Sequence, residues 1–440
     1  MPKTIPFRGI RYDHAIAGAP ADLITPPFDV ISRQQQEAFY RRSPYNIIRL
    51  TLGKKTDFDT RTHNPHTRAA QTMRQWLKEG VLQREPEPVF YLTANDFMLK
   101  DRRHRRLGLI ARVRLSSFEE GKILPHERTF TNVKSERLSL MKQCHANFDP
   151  IFALYPDRGG LHAEMEVFGD ANPPQMDFID ADSMRHRLWR IGNRVEQDHI
   201  AEALADVPFY IADGHHRYET ALNYRNWLQE KEPLPPEHPA NYVMMYLTSI
   251  DDPGLVICPA HRMIRDVSTI RMADMLAEAR KYFEVEPIHF TEDERNEAIE
   301  TFQHKLELRS EKPVIGIYHR GAKAFYVLRL AENGIPAERH GAELPPALQN
   351  LDVTVLTYLI FIELLGFDQQ RLDNERLIGY TIDVREAVEA VHRGDYNAAF
   401  ILNPTTVQQV CDIADQGLVM PRKATYFYPK VISGMVINSL

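Results

Sequence analysis

An apolar stretch, Val207 to Ile211, runs directly into Ala212-Asp213-Gly214-His215-His216-Arg217, and from Tyr218 apolar residues return at helical spacing: Tyr218, Ala221, Leu222, then Tyr224, Trp227, Leu228. The pattern predicts a buried strand, a tight turn and a helix. That junction is chemically loaded. The N–H groups of a helix's first turn and the positive end of its dipole point outward there, which favours anions. Gly214 lets the backbone approach a ligand, Arg217 can fork onto phosphate oxygens, and His215 and His216 add donors whose charge is tunable near neutrality. A plainer reading has Asp213 capping the helix and Arg217 pairing with a surface carboxylate. Capping, however, needs one polar side chain, and here four surround a glycine.

The rest of the chain alternates strand-like and helix-like segments, so the predicted class is mixed α+β. Ser32 with Gln35 makes a capping box that opens a helix to about Tyr40. A strand is expected at Tyr45–Leu52, a helix at Thr67–Val81, and strands at Val89–Thr93 and Leu107–Leu115. The basic run Asp101–Arg106 between the last two reads as a solvated hairpin tip. Strands at Phe118–Leu124 and Ile151–Tyr155 flank a helix at Glu136–Gln143. Tyr242–Ser249 and Leu255–Pro259 read as a hairpin around Asp251-Asp252-Pro253-Gly254. The expected break follows Arg265, giving domains 1–265 and 266–440. The apolar stripes of Leu356–Leu365 and Val384–Val391 are expected in the core of the second.

Composition removes several function classes. Fifty-four Lys+Arg stand against sixty Asp+Glu in 440 residues, a net charge of −6 without charge blocks, which argues against a nucleic-acid partner. The longest apolar run, Tyr358–Phe367, is interrupted by Glu363 and too short to span a bilayer, so no membrane role is expected and the expected location is the cytoplasm. Cys144, Cys258 and Cys411 lie too far apart for a CxxC metal knuckle. No GxGxxG, Walker A or GxSxG motif occurs.

A second constellation, Leu124-Pro125-His126-Glu127-Arg128-Thr129, places acid, base and hydroxyl functions just after a strand. It is not HExxH, because Phe130 stands where the second histidine would be. A solvated, salt-bridged loop is the alternative. Asp29 and Arg49 are weaker candidates for substrate contact. Near the C-terminus, Met420–Lys430 mixes basic and aromatic residues and suits an anion or a base, or equally a terminal strand; its Arg422–Lys430 part is expected to return to the first domain.

Pro26-Pro27-Phe28-Asp29-Val30-Ile31-Ser32, Ile123–Phe130, Ala212–Ala221 and Thr425-Tyr426-Phe427-Tyr428-Pro429-Lys430 together resemble the domain of unknown function 1015 family over essentially the whole chain. The Asp-Gly-His-His-Arg turn preceded by Pro-His-Glu is also similar to the ParB/sulfiredoxin-like fold, and free-serine kinases of that fold look closest. The resemblance implies a ParB-like nucleotide-binding core with elaborations in residues 1–265 and a second α/β domain in 266–440, whose last strand region returns to the site. It implies a small-molecule kinase using ATP or ADP with Mg²⁺, a small hydroxyl-bearing substrate such as serine, Glu127 and Asp213 as catalytic residues, and His126, Asp213, Gly214, His215, His216 and Arg217 as nucleotide contacts. A non-catalytic binding regulator and a phosphoester hydrolase are the alternatives. The metal ligands and the oligomeric state stay open.

Overall fold

In the computed structural model, which describes residues 3–127, 131–308, 312–331 and 344–440 (the side chains of 131–135 excepted), the chain is mixed α and β. It divides into two units, Met1–Val256 with Phe427–Leu440, and Ile257–Tyr426.

The first unit is organised by a nine-stranded mixed sheet. Its strands are β1 (Thr4–Ile5), β2 (Phe90–Leu99), β3 (Arg102–Arg114), β4 (Ile123–Leu124), β5 (Ile151–Tyr155), β6 (Met176–Ile179), β7 (Arg185–Ile191), β8 (Phe209–Asp213) and β9 (Tyr242–Ser249). They lie in the order β4-β8-β5-β9-β3-β2-β7-β6, with β1 beside β3. Side chains alternate between faces along each strand. In β3, Leu107, Leu109, Ala111 and Val113 enter the main core, joined there by residues of three helices: Leu161 and Met165 of α4 (Leu161–Ala171), Ile200 of α5 (Arg194–Ala203), and Tyr218, Ala221 and Tyr224 of α6 (His215–Gln229). The intervening Arg106 and Arg112 point the other way and bond to the C-terminal segment, Arg106 to the Pro429 carbonyl and Arg112 to Asn438.

Among the described residues, three further helices of ten or more residues belong to this unit: α1 (Arg33–Arg42), α2 (Pro65–Lys78) and α3 (Thr131–Cys144). The Ser32/Gln35 capping box opens α1 as expected. Four expectations fail in whole or in part. The stretch Phe118–Leu124 opens as a 3-10 turn, Phe118–Glu120, closed by Gly121 in the left-handed conformation, so only Ile123–Leu124 is strand. The stretch Tyr45–Leu52 holds a helical turn, Ile48–Thr51, instead of a strand. Buried Asn46 enforces it: its amide donates to the carbonyls of Asp22 and Ile24, and its oxygen accepts from the Ile48 N–H. The basic run is a solvated hairpin tip only at its start: the turn falls at Lys100–Asp101, both with positive φ, Arg102 and Arg103 beside it are exposed, and by Arg106 the strand is buried. Among the described residues, Val256–Cys258 forms no ladder with β9, so the expected hairpin there is absent.

The second unit carries an antiparallel sheet of six strands, β10 (His261–Ile264), β11 (Phe283–His289), β12 (Val314–His319), β13 (Ala324–Leu330), β14 (Ile378–Thr381) and β15 (Ala398–Leu402), ordered β11-β13-β12-β15-β10-β14. Phe302 and Ile299 of α7 (Arg295–Glu307) and Val388 and Val391 of α8 (Val384–His392) pack on it with Phe325 and Val327. Leu356, Leu359 and Ile360, in a π-helical stretch Val355–Leu364, are buried as their stripe predicts. No helix among the described residues is long and apolar enough to cross a membrane.

Candidate functional site

The parallel pairing of β4 with β8, Ile123 beside Phe209 and Leu124 beside Tyr210, brings the two sequence motifs to one end of the sheet. Both strands then leave the sheet together, one as Pro125-His126-Glu127 and the other as Asp213–Arg217. Arg128, Thr129 and Phe130 lie outside the described residues.

Just before the turn, the register of β8 against β5 shifts, from Ile211 opposite Ala153 to Asp213 opposite Phe152. Such a bulge bends the strand and re-aims the side chains that follow. Gly214 then occupies the N-cap of α6 at φ 96°, ψ 30°, with no side-chain cap bond. Glycine is required there twice. The left-handed conformation disfavours any Cβ, and a Cβ at this position would meet Arg217 Nε at 2.8 Å.

Asp213 therefore does not cap the helix. One carboxylate oxygen accepts from Lys430 Nζ at 2.6 Å, and the other pairs with Arg217 Nη2. Burial works to raise the Asp213 carboxyl, but Lys430 and Arg217 outweigh it and hold it well below the usual carboxylate range. Burial likewise opposes the Arg217 charge, and Asp213, Asp29 and Asp149 more than restore it. Arg217 also donates through Nη1 to the Pro150 carbonyl. Its Nε is buried and has no hydrogen-bond partner among the described residues, although it lies directly over Gly214 at the head of the helix. The first intrahelical bond runs from Tyr218 N–H to Gly214 O at 3.0 Å, so the N–H groups before it stand outside the helical ladder.

The histidines divide the work. His126 is fully buried, and burial pushes its imidazole down to about 4. Burial first, and then neighbouring His126, hold His215 well below its ordinary value, so both rings are neutral near pH 7. The His126 main-chain N–H donates to His215 Nε2 at 3.2 Å, and the two rings meet edge to face with centroids 4.7 Å apart. A neutral ring that accepts at Nε2 carries its proton on Nδ1. That atom stands 3.8 Å from Glu127 Oε2. His215 thus faces the Glu127 carboxylate. His216, one residue on, is partly exposed at the same helix end.

Behind Arg217 lies a pocket of about 40 Å³ lined by Arg137, Asp149, Asn147, Arg217 and Thr220 among others. It has room for water and falls far short of the roughly 300–1,000 Å³ that a drug-sized ligand fills. The Phe28 ring supports Arg137 at 4.1 Å, and burial raises the Asp149 carboxyl against the pull of Arg217 and the Ser433 hydroxyl. Arg49 is a brace: it lies over the Tyr40 ring at 4.6 Å and donates to the Tyr40 carbonyl at 2.9 Å. No group of three or more His, Cys, Asp or Glu suited to a metal occurs among the described residues. Both Asp213 oxygens face cations, so Asp213 does not fit the role of a Mg²⁺ carrier.

Lys430, Arg106, Asp149 and Ser433 were not singled out from the sequence. For Lys430 a signal existed in the basic and aromatic stretch Met420–Lys430; for the others there was none.

The family model described as "Protein of unknown function (DUF1015)" matches residues 4–354. No curated protein matches the chain. Among solved structures, a conserved hypothetical protein from Pyrococcus furiosus shares 12% identity at a TM-score of 0.33, covering 74% of this chain and 92% of its own. A free serine kinase in complex with AMP shares 12% identity at 0.33, covering 73% and 86%. SbnI with a C-terminal truncation, from Staphylococcus aureus, shares 11% at 0.35, covering 74% and 86%. Likeness at that level identifies neither a substrate nor a reaction.

Proposed function

We propose that this chain, which belongs to the DUF1015 family, binds the phosphates of a nucleotide at the turn Asp213–Arg217 and transfers a phosphoryl group to the hydroxyl of a small metabolite, with Glu127 as general base. The observation that carries the reading is the meeting of Glu127 with His215, 3.8 Å apart, at the head of α6. Phosphoryl transfer asks for two things of a protein: dipoles and cations that meet the phosphate charge, and a group that orients the attacking hydroxyl. The amino end of α6 supplies the first, with Arg217 beneath it and partly exposed His216 beside it. Glu127 supplies the second. The acceptor oxygen attacks phosphorus, the bond to the leaving phosphate breaks, and the hydroxyl proton passes to the Glu127 carboxylate. The neutral His215, its proton on Nδ1, orients that carboxylate. The acceptor is a small hydroxyl-bearing metabolite, serine being the first to try, with ATP or ADP as donor.

A binding regulator is the second reading, favoured by the commitment of Arg217 to Asp213 and the Pro150 carbonyl. Glu127→Gln separates the two. The amide keeps the shape but cannot take the proton, so nucleotide affinity by calorimetry is expected within about 3-fold of wild type while turnover falls by roughly 10²-fold or more. Nucleotide consumption is followed with hydroxyl metabolites and without any acceptor. Release of free phosphate without an acceptor assigns a hydrolase. Nucleotide binding with no turnover for any acceptor or for water leaves the regulator.

A further inference from the structure

Among the described residues of the first unit, Arg106 is the most fully buried arginine, and its guanidinium hydrogen-bonds to no carboxylate. It lies over the contacting rings of Phe152 and Tyr246, at 4.8 and 5.4 Å, and is 0% exposed. Its donors go to the Pro429 carbonyl at 2.8 Å, the Tyr428 carbonyl at 3.3 Å and the Tyr246 hydroxyl at 3.3 Å, and Nη2 has no hydrogen-bond partner among the described residues. Removing a guanidinium from water is costly, and here only neutral oxygens and two ring faces offset it. What that cost secures is the position of two consecutive carbonyls, and the next residue is Lys430.

The segment is fixed on both sides of Lys430. Before it, Phe427 packs against Phe152 with ring centroids 5.6 Å apart, and Tyr428 against Phe97 at 5.5 Å. After it, Ser433 bonds to Asp149, Asn438 donates to Asn147 at 2.8 Å, and Arg112 donates to the Ser439 carbonyl at 2.6 Å. The Lys430 ammonium arrives 2.6 Å from Asp213 Oδ1.

Two cations converge on one carboxylate there. Asp29 and Asp149 also face Arg217, so Lys430 is a second cation drawn to Asp213 at the amino end of a 15-residue helix, an end that favours anions. The buried Arg217 Nε, without a hydrogen-bond partner among the described residues, is a further donor over Gly214.

We propose that Lys430 is a ligand of the phosphate group bound at the head of α6, and that Arg106 is a positioning residue that delivers it through the carbonyls of Tyr428 and Pro429. The proposal rests on the phosphate-binding reading above. The C-terminal segment is then part of the site, and the cation that meets the anion comes from the far end of the chain.

The test titrates ADP and inorganic pyrophosphate into the full-length protein by calorimetry at 50–300 mM salt. Lys430→Met is expected to weaken both probes 10- to 100-fold and to flatten the dependence of log affinity on log salt; Lys430→Arg is expected to stay within about 3-fold of wild type. Arg106→Lys keeps the charge on a shorter side chain without the planar fork, so it cannot reach both carbonyls and the Tyr246 hydroxyl from the same place. It is expected to weaken ADP at least 5-fold in the wild-type background and by less than 2-fold on top of Lys430→Met. Wild-type affinity in Lys430→Met overturns the ligand role. A full additional loss from Arg106→Lys in the Lys430→Met background overturns the positioning role. Should wild type bind neither probe, it is the underlying phosphate reading that fails.

Discussion

Acidification is expected to loosen the first unit, because two neutral imidazoles are sealed into the site. The His126 ring is held at about 4 by burial, against an ordinary value of 6.5. The unfolded chain binds a proton as pH falls below about 6.5, while the folded chain resists until about 4. The stabilisation is therefore complete above about pH 6.5 and disappears as pH falls toward 4. A displacement of about 2.5 units corresponds to about 3 kcal/mol over the whole window, of which about 2 kcal/mol is gone by pH 5. His215 is displaced in the same direction and adds loss of the same sign. The assay is urea unfolding at pH 7.5, 6.5, 5.5 and 5.0, followed by tryptophan fluorescence. All three tryptophans, Trp76, Trp189 and Trp227, belong to the first unit, so the signal reports that unit alone. His126→Gln, which cannot charge, is expected to start less stable at pH 7.5 but to lose about 2 kcal/mol less than wild type on reaching pH 5. Parallel stability curves for the two proteins would refute the assignment of the acid response to His126.

Two substitutions test other parts of the reasoning with the same fluorescence readout. Gly214→Ala is expected to cost about 1–2 kcal/mol from the left-handed backbone alone and more as its Cβ displaces Arg217, and a change under about 0.5 kcal/mol would contradict the geometry of the turn. Asn46→Ala, which strands the Ile48 N–H and two carbonyls at a fully buried position, is expected to cost about 2–4 kcal/mol; a surface-like value would mean that these bonds do not hold the turn.

Local chemistry made the centre of the site legible. Apolar strand, glycine and helical stripe around Asp213–Arg217 are short-range signals, and Pro125-His126-Glu127 stood out by composition. What no local pattern carries is the partner. That β4 lies parallel to β8, and so places Glu127 beside His215, is set by sheet order across some ninety residues of chain. The division of roles was also hidden: adjacent in sequence, His215 turns inward to Glu127 while His216 stays partly exposed. Tyr45–Leu52 reads as a strand because Ile47 and Ile48 are β-branched, and the side chain of Asn46 overrides that preference. Arg106 reads as one member of a solvated basic run, yet the alternation of β3 turns it into the interior. Lys430 was visible only as one basic residue in an aromatic stretch, with nothing to say which acid it would meet.

The bond between Asp213 and Lys430 spans 217 positions, and the whole of Ile257–Tyr426 is synthesised in that interval. At 5–20 residues per second, a ribosome needs about 10–40 s to travel from one to the other. During that time the nascent sheet exposes Arg106, Phe152 and Tyr246 without the strand-like segment that will cover them. The sheet stands nearly finished while it waits for Tyr428–Lys430. A message cut shortly before Lys430 would encode the apolar strands of both sheets but lack Lys430 and the buried Val431, Met435, Val436 and Ile437, leaving Asp213 without one of its cations and the core around Ile10 incomplete.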